Sequence, residues 1–138
     1  MKNFTTNMLL KNLIKNLPQN LKKLPIKGLA LNSKDVKKGF IFFAIKGNKF
    51  NGENYIHKAI KNGAIIIICS NKCKFKSTKV NVIKTKKIRH YLSEITSRFY
   101  KLKPKNIIAV TGTNGKTSVA DFFYQILQMN NIPVASIG

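Results

Sequence analysis

The chain has 138 residues, with 26 Lys and Arg against four Asp and Glu, and a formal net charge of +22. That length allows one ordinary domain, or a small domain with part of another. An apolar fraction of 43% is too high for a chain that is disordered throughout. No apolar stretch reaches the ~18 residues that cross a bilayer. Lys11 and Lys15 interrupt the N-terminal apolar stretch, which argues against a signal peptide and predicts a cytoplasmic location.

The positive charge comes almost entirely from lysine, since only Arg89 and Arg98 are arginines. Proteins that read nucleic acids rely on Arg for two-pronged contacts with bases and phosphates. The lysines are spread along the chain, without the basic and aromatic alternation of a single-strand binding platform. We therefore interpret most of the charge as a composition effect and expect no nucleic acid partner. The charge would still attract phosphate-bearing ligands.

The cysteines and histidines do not have the spacing of a metal site. Cys69 and Cys73 lie four residues apart, and neither His57 nor His90 forms a ligand pair with them. We predict two reduced thiols and two histidines that lie on helices without a catalytic role.

Hydrophobic periodicity predicts an α/β fold. Helices are predicted where apolar residues recur at helical spacing, and buried strands where short runs are apolar throughout. Asn62 and Gly63 form a typical helix stop. In chain order, the predicted elements of the first part are a helix over 7–17, strands over 26–32 and 40–45, a helix over 53–62, strands over 64–70 and 80–83, and a helix over 86–101.

Pro104 ends the last of these helices and begins a second unit. The predicted elements there are a strand over 106–110, a helix over about 116–129 and the start of a strand over 134–137. The helix side chains expected to face a sheet are Phe122, Phe123, Ile126 and Leu127. So few elements cannot bury both faces of a sheet. The expectation is a small α/β domain over 1–103, followed by the truncated start of a P-loop α/β domain over 104–138.

The most specific motif is TGTNGKTS at 111–118, between a predicted strand and a predicted helix. Small residues at the start of a helix point backbone N–H groups and the positive end of the helix dipole at phosphate oxygens. Lys116 would extend over the β- and γ-phosphates, and the Thr117 hydroxyl would bind Mg²⁺. The loop is one of the shorter G-x-x-G-K-T form, because Val110 stands where the general pattern has its first glycine.

TGTNGKTS resembles the ATP loop of the Mur ligase family, which adds amino acids to a UDP-linked peptidoglycan precursor. The segment LNSKDVKKGFIFFAIKGNKFNGENYIHKAIKNGA at 31–64 is similar to the N-terminal UDP-binding domain of that family. The resemblance departs at Asn32, Lys34 and Phe40, where Asp, Arg and Asp are usual. Asn32 can still cap a turn, and Lys34 keeps a positive charge.

The resemblance also implies roles for particular residues. ATP and Mg²⁺ would be the cofactors. Lys116 and Thr117 would serve the reaction, with Thr117 on the metal. The uridine nucleotide would contact Leu31 and Ser33, and a loop with Asn48, Lys49 and Phe50 would close over it. The residues that would hold ATP are Gly112, Thr113, Asn114, Gly115, Lys116, Thr117 and Ser118.

Within the family, T-G-T-N-G-K-T is most similar to the loop of the ligase that adds diaminopimelate or lysine to UDP-N-acetylmuramoyl-L-alanyl-D-glutamate. The reaction would pass through an acyl phosphate that the incoming amine converts to an amide. The intact enzyme is expected to be a monomer without a membrane partner, and this fragment alone is expected to be inactive. Three alternatives are a D-alanyl-D-alanine-adding ligase, a nucleotide-binding module without ligase activity, and a basic nucleic-acid-binding protein.

Overall fold

The computed structural model describes residues 7–48 and 50–137. The chain forms two compact units, Met1–Leu102 and Lys103–Gly138. The elements of the first unit are β1 (Met8–Leu9), α1 (Leu10–Leu13), β2 (Pro25–Ile26), β3 (Gly28–Ala30), β4 (Phe40–Ala44), α2 (Ile56–Lys61), β5 (Ala64–Ser70), β6 (Asn81–Thr85) and α3 (Ile88–Phe99). The second unit contains α4 (Lys116–Met129). None of the described helices has the length and apolar character that a membrane span requires.

The first unit is built around a four-stranded parallel sheet in the order β3-β4-β5-β6. The apolar runs of β4 and β5 occupy the two central positions. This arrangement confirms the prediction that they are strands of a parallel sheet buried on both faces. The α/β class is confirmed as well. β1 and β2 form a separate antiparallel pair, in which Met8 lies opposite Ile26.

Successive side chains of β4 and β5 pack into two different cores, because neighbouring residues of a strand point to opposite faces of the sheet. Ile41, Phe43, Ile66 and Ile68 face a core that also contains residues from α1 and α3. The second core contains Phe42, Ala44, Ile67 and Cys69, with Ile56 and Ala59 of α2. The unit therefore has helices on both faces of one sheet, and each buried Ile or Phe contributes about 1.5–3 kcal/mol to folding.

The helix predicted over 7–17 is wrong in its extent. Residues 8 and 9 are a strand, because they pair with β2, and only Leu10–Leu13 are helical. Ile14 has extended backbone angles, and Asn16 has a φ of 56°. The apolar residues at helical spacing do face the core, since Leu10 and Leu13 are fully buried. They are apolar because this one helical turn packs against the core of the unit.

The strand predicted over 26–32 is divided at Lys27, because the backbone changes partners there. Ile26 belongs to the antiparallel pair with β1, whereas Gly28 pairs with Phe40 in the parallel sheet. The helix predicted over 53–62 begins with a 3₁₀ turn at Gly52–Tyr55 and becomes α-helical at Ile56. It ends as predicted at Asn62 and Gly63, with Gly63 at a φ of +107°.

The remaining boundaries follow the sequence closely. β5 has the predicted bounds. β6 begins one residue later and ends two residues later than the strand predicted over 80–83. α3 lies within the helix predicted over 86–101. His57 lies in α2 and His90 in α3, as predicted.

The second unit differs most from its prediction. α4 has the predicted bounds, but 106–110 and 134–137 are not strands, and among the described residues they have no strand partner. An apolar run becomes a strand only when a neighbour takes up its backbone hydrogen bonds. The prediction that the apolar side of α4 faces a sheet is therefore wrong here. Phe122, Phe123 and Ile126 are exposed, and Leu127 is half-buried.

Candidate nucleotide-binding sites

The first candidate segment follows β3 directly. Leu31 is 57% exposed, whereas Ser33 is buried at 3% exposure. Ser33 opens a 3₁₀ turn, Ser33–Asp35, whose shape is held by Asn32. The Asn32 side-chain oxygen accepts a hydrogen bond of 3.0 Å from the Lys34 N–H, and the Asn32 carbonyl accepts one of 3.1 Å from the Asp35 N–H. The prediction that Asn32 can cap a turn is confirmed.

The second candidate segment is the loop after β4. An antiparallel bridge between Lys46 and Asn51 closes it, and the Gly47 N–H donates to the Phe50 carbonyl at 2.8 Å. Asn48 is exposed, and Phe50 is 71% exposed. Lys49 lies outside the described residues. The backbone hydrogen bonds thus close the loop, and the loop presents the polar side chain of Asn48 and the aromatic ring of Phe50 at the surface.

The sheet places these two segments at one edge. β3 and β4 are parallel neighbours, with Ala30 opposite Phe42, so the residues that follow each strand emerge at the same edge. Open α/β sheets bind their ligands at the carboxyl ends of the strands. Leu31 and Ser33 on one side, and Asn48 and Phe50 on the other, therefore line the edge where a ligand is expected.

Asn62 is a residue of this region whose contact the sequence did not predict. Its side-chain amide donates a hydrogen bond of 2.8 Å to the Ser33 carbonyl oxygen. The sequence predicts only a helix stop at Asn62. No local pattern could have indicated the second contact, because the two residues are 29 positions apart.

The TGTNGKTS segment forms a second candidate site in the second unit. Gly115 precedes α4 with a φ of +75°, a left-handed conformation that glycine adopts without steric cost. The Lys116 ammonium folds back over the loop and donates to the carbonyl oxygens of Gly112 and Thr113. Lys116, Thr117 and Ser118 form the first turn of α4, next to N–H groups that lack partners within the helix.

These features fit a phosphate group. The positive end of a 14-residue helix, a glycine at its start and a lysine ammonium close to the loop all favour negative charge there. Thr113 and Asn114 are exposed in the same loop. For Mg²⁺ the chain offers the Thr117 hydroxyl, and a bound nucleotide would have to supply most of the other oxygen ligands. The described residues contain no cluster of three His, Cys, Asp or Glu side chains that could hold a metal ion by themselves.

The two cysteines have a structural environment and not that of a reactive site. Both are free and buried in the core on the α2 face of the sheet. Burial, reinforced by a hydrogen bond with Cys73, raises the pKa of the Cys69 thiol to about 12. At neutral pH Cys69 is therefore protonated and a poor nucleophile.

Lysine charge dominates the surface, because few carboxylates are present to neutralise it. Among the described residues, the carboxylate of Glu94 pairs with Arg98 on α3 at 3.5 Å and lies 3.7 Å from the His90 ring. Lys34 in the first segment and Lys46 in the second are both exposed. Positive charge therefore adjoins the edge of the sheet where a phosphate-bearing ligand would approach.

Residues 25–100 match the sequence model of the Mur ligase family, catalytic domain. This match covers more than half of the chain, and the chain belongs to the Mur ligase family. The matched residues include the whole four-stranded sheet and both segments of the first candidate site.

Two relatives make the likeness more specific. The chain is 43% identical over 124 residues to the UDP-N-acetylmuramoyl-L-alanyl-D-glutamate–2,6-diaminopimelate ligase of Rickettsia prowazekii, a match that covers 89% of this chain and 25% of that protein. It is 40% identical over 117 residues to the ligase of the same name from Zymomonas mobilis, covering 85% of this chain and 24% of that protein. The chain thus spans about a quarter of the length of these relatives.

Two solved structures share the fold. The MurF ligase from Thermotoga maritima, in complex with ADP, is 30% identical with a TM-score of 0.58, over 73% of this chain and 23% of that one. A UDP-N-acetylmuramoyl-L-alanyl-D-glutamate–2,6-diaminopimelate ligase is 23% identical with a TM-score of 0.64, over 91% of this chain and 26% of that one. The second likeness concerns the fold alone.

Proposed function

We propose that this chain carries the uridine-nucleotide-binding domain and the ATP loop of an ATP-dependent amide ligase of peptidoglycan precursor synthesis. The substrate proposed is UDP-N-acetylmuramoyl-L-alanyl-D-glutamate. The names of the Rickettsia and Zymomonas relatives favour diaminopimelate over lysine as the residue added. The observation that carries the proposal is the meeting of two predicted uridine-binding segments at one edge of the sheet.

The first unit, proposed as the domain over 1–103, would bind the uridine nucleotide between the segments after β3 and β4. Leu31 and Phe50 present exposed apolar surface of the kind on which a base packs. Ser33 and Asn48 would supply polar contacts that orient it. Lys49 would add a positive charge to the same loop. The diphosphate carries negative charge, which the surrounding lysines attract.

The second unit, proposed as the start of the ATP-binding domain over 104–138, would hold the phosphates of ATP on Gly112–Ser118. Lys116 would exchange the carbonyl oxygens of Gly112 and Thr113 for phosphate oxygens and neutralise charge on the transferring phosphoryl group. Mg²⁺, bound through the Thr117 hydroxyl and the phosphates, would supply further charge neutralisation. The Thermotoga MurF ligase, to which this chain is similar, is in complex with ADP, which supports an adenine nucleotide as a ligand.

The reaction proposed for the whole protein has two steps. A carboxylate oxygen of the D-glutamate residue attacks the γ-phosphorus of ATP, which releases ADP and forms an acyl phosphate. The amino group of the incoming residue then attacks the acyl carbon, and phosphate leaves as the amide bond forms. We also propose a cytoplasmic location, because the reaction consumes ATP.

Calorimetric titration of the purified chain tests the proposal. UDP-N-acetylmuramoyl-L-alanyl-D-glutamate and UMP are the ligands, with a simple polyanion as the control for non-specific lysine charge. Saturable binding of the dipeptide or UMP that Ser33→Ala weakens would support the uridine site. In the same chain, Lys116→Ala should weaken ADP binding and leave UMP binding unchanged.

A folded chain that binds the nucleotides no better than the polyanion would contradict the proposal. A nucleotide-binding module without ligase activity is the second candidate. It would be favoured if the whole protein bound both nucleotides but formed no amide bond and released no phosphate in the presence of diaminopimelate.

A further inference from the structure

The side chain of Asn62 makes a contact that the end of its helix does not need. The backbone N–H of Asn62 already closes α2 on the carbonyls of Lys58 and Ile60. Its φ of −80° and ψ of −4° are ordinary right-handed values that any residue adopts. The side-chain amide is therefore free to act elsewhere, and it donates to the Ser33 carbonyl oxygen at 2.8 Å.

This hydrogen bond differs in kind from the others in the Ser33 turn. The bonds from Lys34 and Asp35 to Asn32 join residues within three positions, so they shape the turn but move with it. The bond from Asn62 joins the turn to a separate helix. It therefore sets where the turn lies relative to the rest of the sheet edge.

The other end of the same helix is tied to the second segment of the site. α2 continues from the 3₁₀ turn at Gly52–Tyr55. The Gly52 N–H donates to the Ile45 carbonyl at 2.9 Å, and the Asn51 side-chain oxygen accepts from the Glu53 N–H at 3.0 Å. The loop that contains Asn48 and Phe50 is thus anchored to the start of α2, and the end of α2 is anchored to Ser33.

We propose that Asn62 is a positioning residue for the uridine nucleotide, and that its hydrogen bond to the Ser33 carbonyl sets the spacing between the two segments that hold the ligand. The inference rests on the proposed uridine site. It adds a residue that touches neither the nucleotide nor the reacting groups and acts by preorganising those that do.

The experiment is a UMP titration of the full 138-residue chain by calorimetry, with wild type, Asn62→Ala, Asn62→Asp and Asn62→Gln compared at one ionic strength. Loss of one partly buried hydrogen bond is expected to weaken UMP binding about 3- to 10-fold in Asn62→Ala. Asn62→Asp should weaken it at least as much, because a carboxylate would face the Ser33 carbonyl. Asn62→Gln keeps an amide donor and should recover part of the affinity.

Lys61→Ala is the matched control, since Lys61 is the exposed neighbour at the end of the same helix. It should stay within about twofold of wild type in UMP binding. A hydrogen bond with a purely structural role would lower the melting temperature of Asn62→Ala but leave UMP affinity unchanged well below that temperature. ADP binding, measured in parallel, should be the same in all variants.

The outcomes separate this inference from the function on which it rests. Wild-type binding of UMP with unchanged affinity in Asn62→Ala would overturn the role of Asn62 and leave the uridine site standing. Absence of UMP binding in the wild type would overturn both. Should Asn62→Ala fail to fold, the comparison passes to Asn62→Gln against Asn62→Asp, and equal UMP affinities in that pair would overturn the inference.

Discussion

The guanidinium of Arg98 donates a hydrogen bond of 2.7 Å to the backbone carbonyl oxygen of Leu13, which lies 85 residues earlier in the chain. Leu13 is the last residue of α1, so this carbonyl has no partner further along its own helix. Glu94, one turn before Arg98 on α3, lies 3.5 Å from the same guanidinium and holds its orientation. One arginine thus joins the N-terminal helix of the first unit to its last helix.

Replacing Arg98 by Ala should lower the free energy of unfolding by about 1–2 kcal/mol, because a charged donor to a partly buried carbonyl is lost. Urea unfolding followed by circular dichroism measures the change. Arg89→Ala is the control, since Arg89 is the other arginine of α3 and is exposed. Equal losses in the two variants would show that the bond to Leu13 adds nothing to stability.

Gly52→Ala should weaken UMP binding and disturb the loop after β4. A Cβ at position 52 would lie 2.7 Å from the Ile45 carbonyl oxygen and 2.8 Å from the Ile45 nitrogen, so the backbone has to move. Gly47→Ala, in the same loop, places its Cβ 3.2 Å from the Phe50 carbonyl oxygen and should be milder. Calorimetric titration with UMP ranks the two variants. A stronger effect at Gly47 would contradict this account of the loop.

Gly115→Ala should weaken ADP binding and loosen the start of α4. At a φ of +75° an alanine is strained by about 1–2 kcal/mol, although no atom lies within 4 Å of the added Cβ. Gly115→Asn is the informative comparison, because Asn tolerates the left-handed conformation better than Ala does. ADP affinity should fall in the order wild type, Asn, Ala. Identical behaviour of Asn and Ala would show that backbone strain is not the cause.

The Cys69 thiol should make stability fall at alkaline pH. Its pKa is about 12 in the folded chain against an ordinary value of 9.0, mainly because of burial. Between about pH 9 and pH 12 the unfolded chain binds fewer protons than the folded one, so the free energy of unfolding decreases as the pH rises. The stabilising contribution is complete below about pH 9 and is lost through about pH 12.

Urea unfolding at a series of pH values checks this expectation against Cys69→Ala, which lacks the titrating group. The slopes are compared rather than the absolute stabilities, since the variant also leaves a small cavity. The wild type should lose stability more steeply than the variant above about pH 9. Parallel slopes would exclude Cys69 as the source of the pH dependence.

Much of the first unit could be predicted from residue patterns. The runs FIFFA and AIIIICS are apolar throughout, and they form the central parallel strands. Ile88, Leu92, Ile95 and Phe99 recur at helical spacing in α3, where Ile95 and Phe99 are buried. These predictions succeed because burial against a sheet requires the same side-chain period that the sequence displays.

Other elements depend on partners that a local pattern does not contain. Residues 8 and 9 are a strand because β2 lies beside them, whereas 106–110 are equally apolar but lack a partner among the described residues. Among the candidate site residues, Ser33 and Phe50 belong to different segments of the sequence, and only the family resemblance assigns them to one site. Their common edge comes from the pairing of β3 with β4.

The sequence by itself determined the α/β class and the glycine that starts α4, and it indicated the residues proposed to bind nucleotides, because backbone conformation and side-chain chemistry belong to individual positions. Tertiary structure alone decided that Arg98 reaches Leu13 and that Asn62 reaches Ser33. The first pair is separated by 85 positions in the chain and the second by 29. Both contacts depend on how the helices pack against the sheet, and that packing exists only in the folded chain.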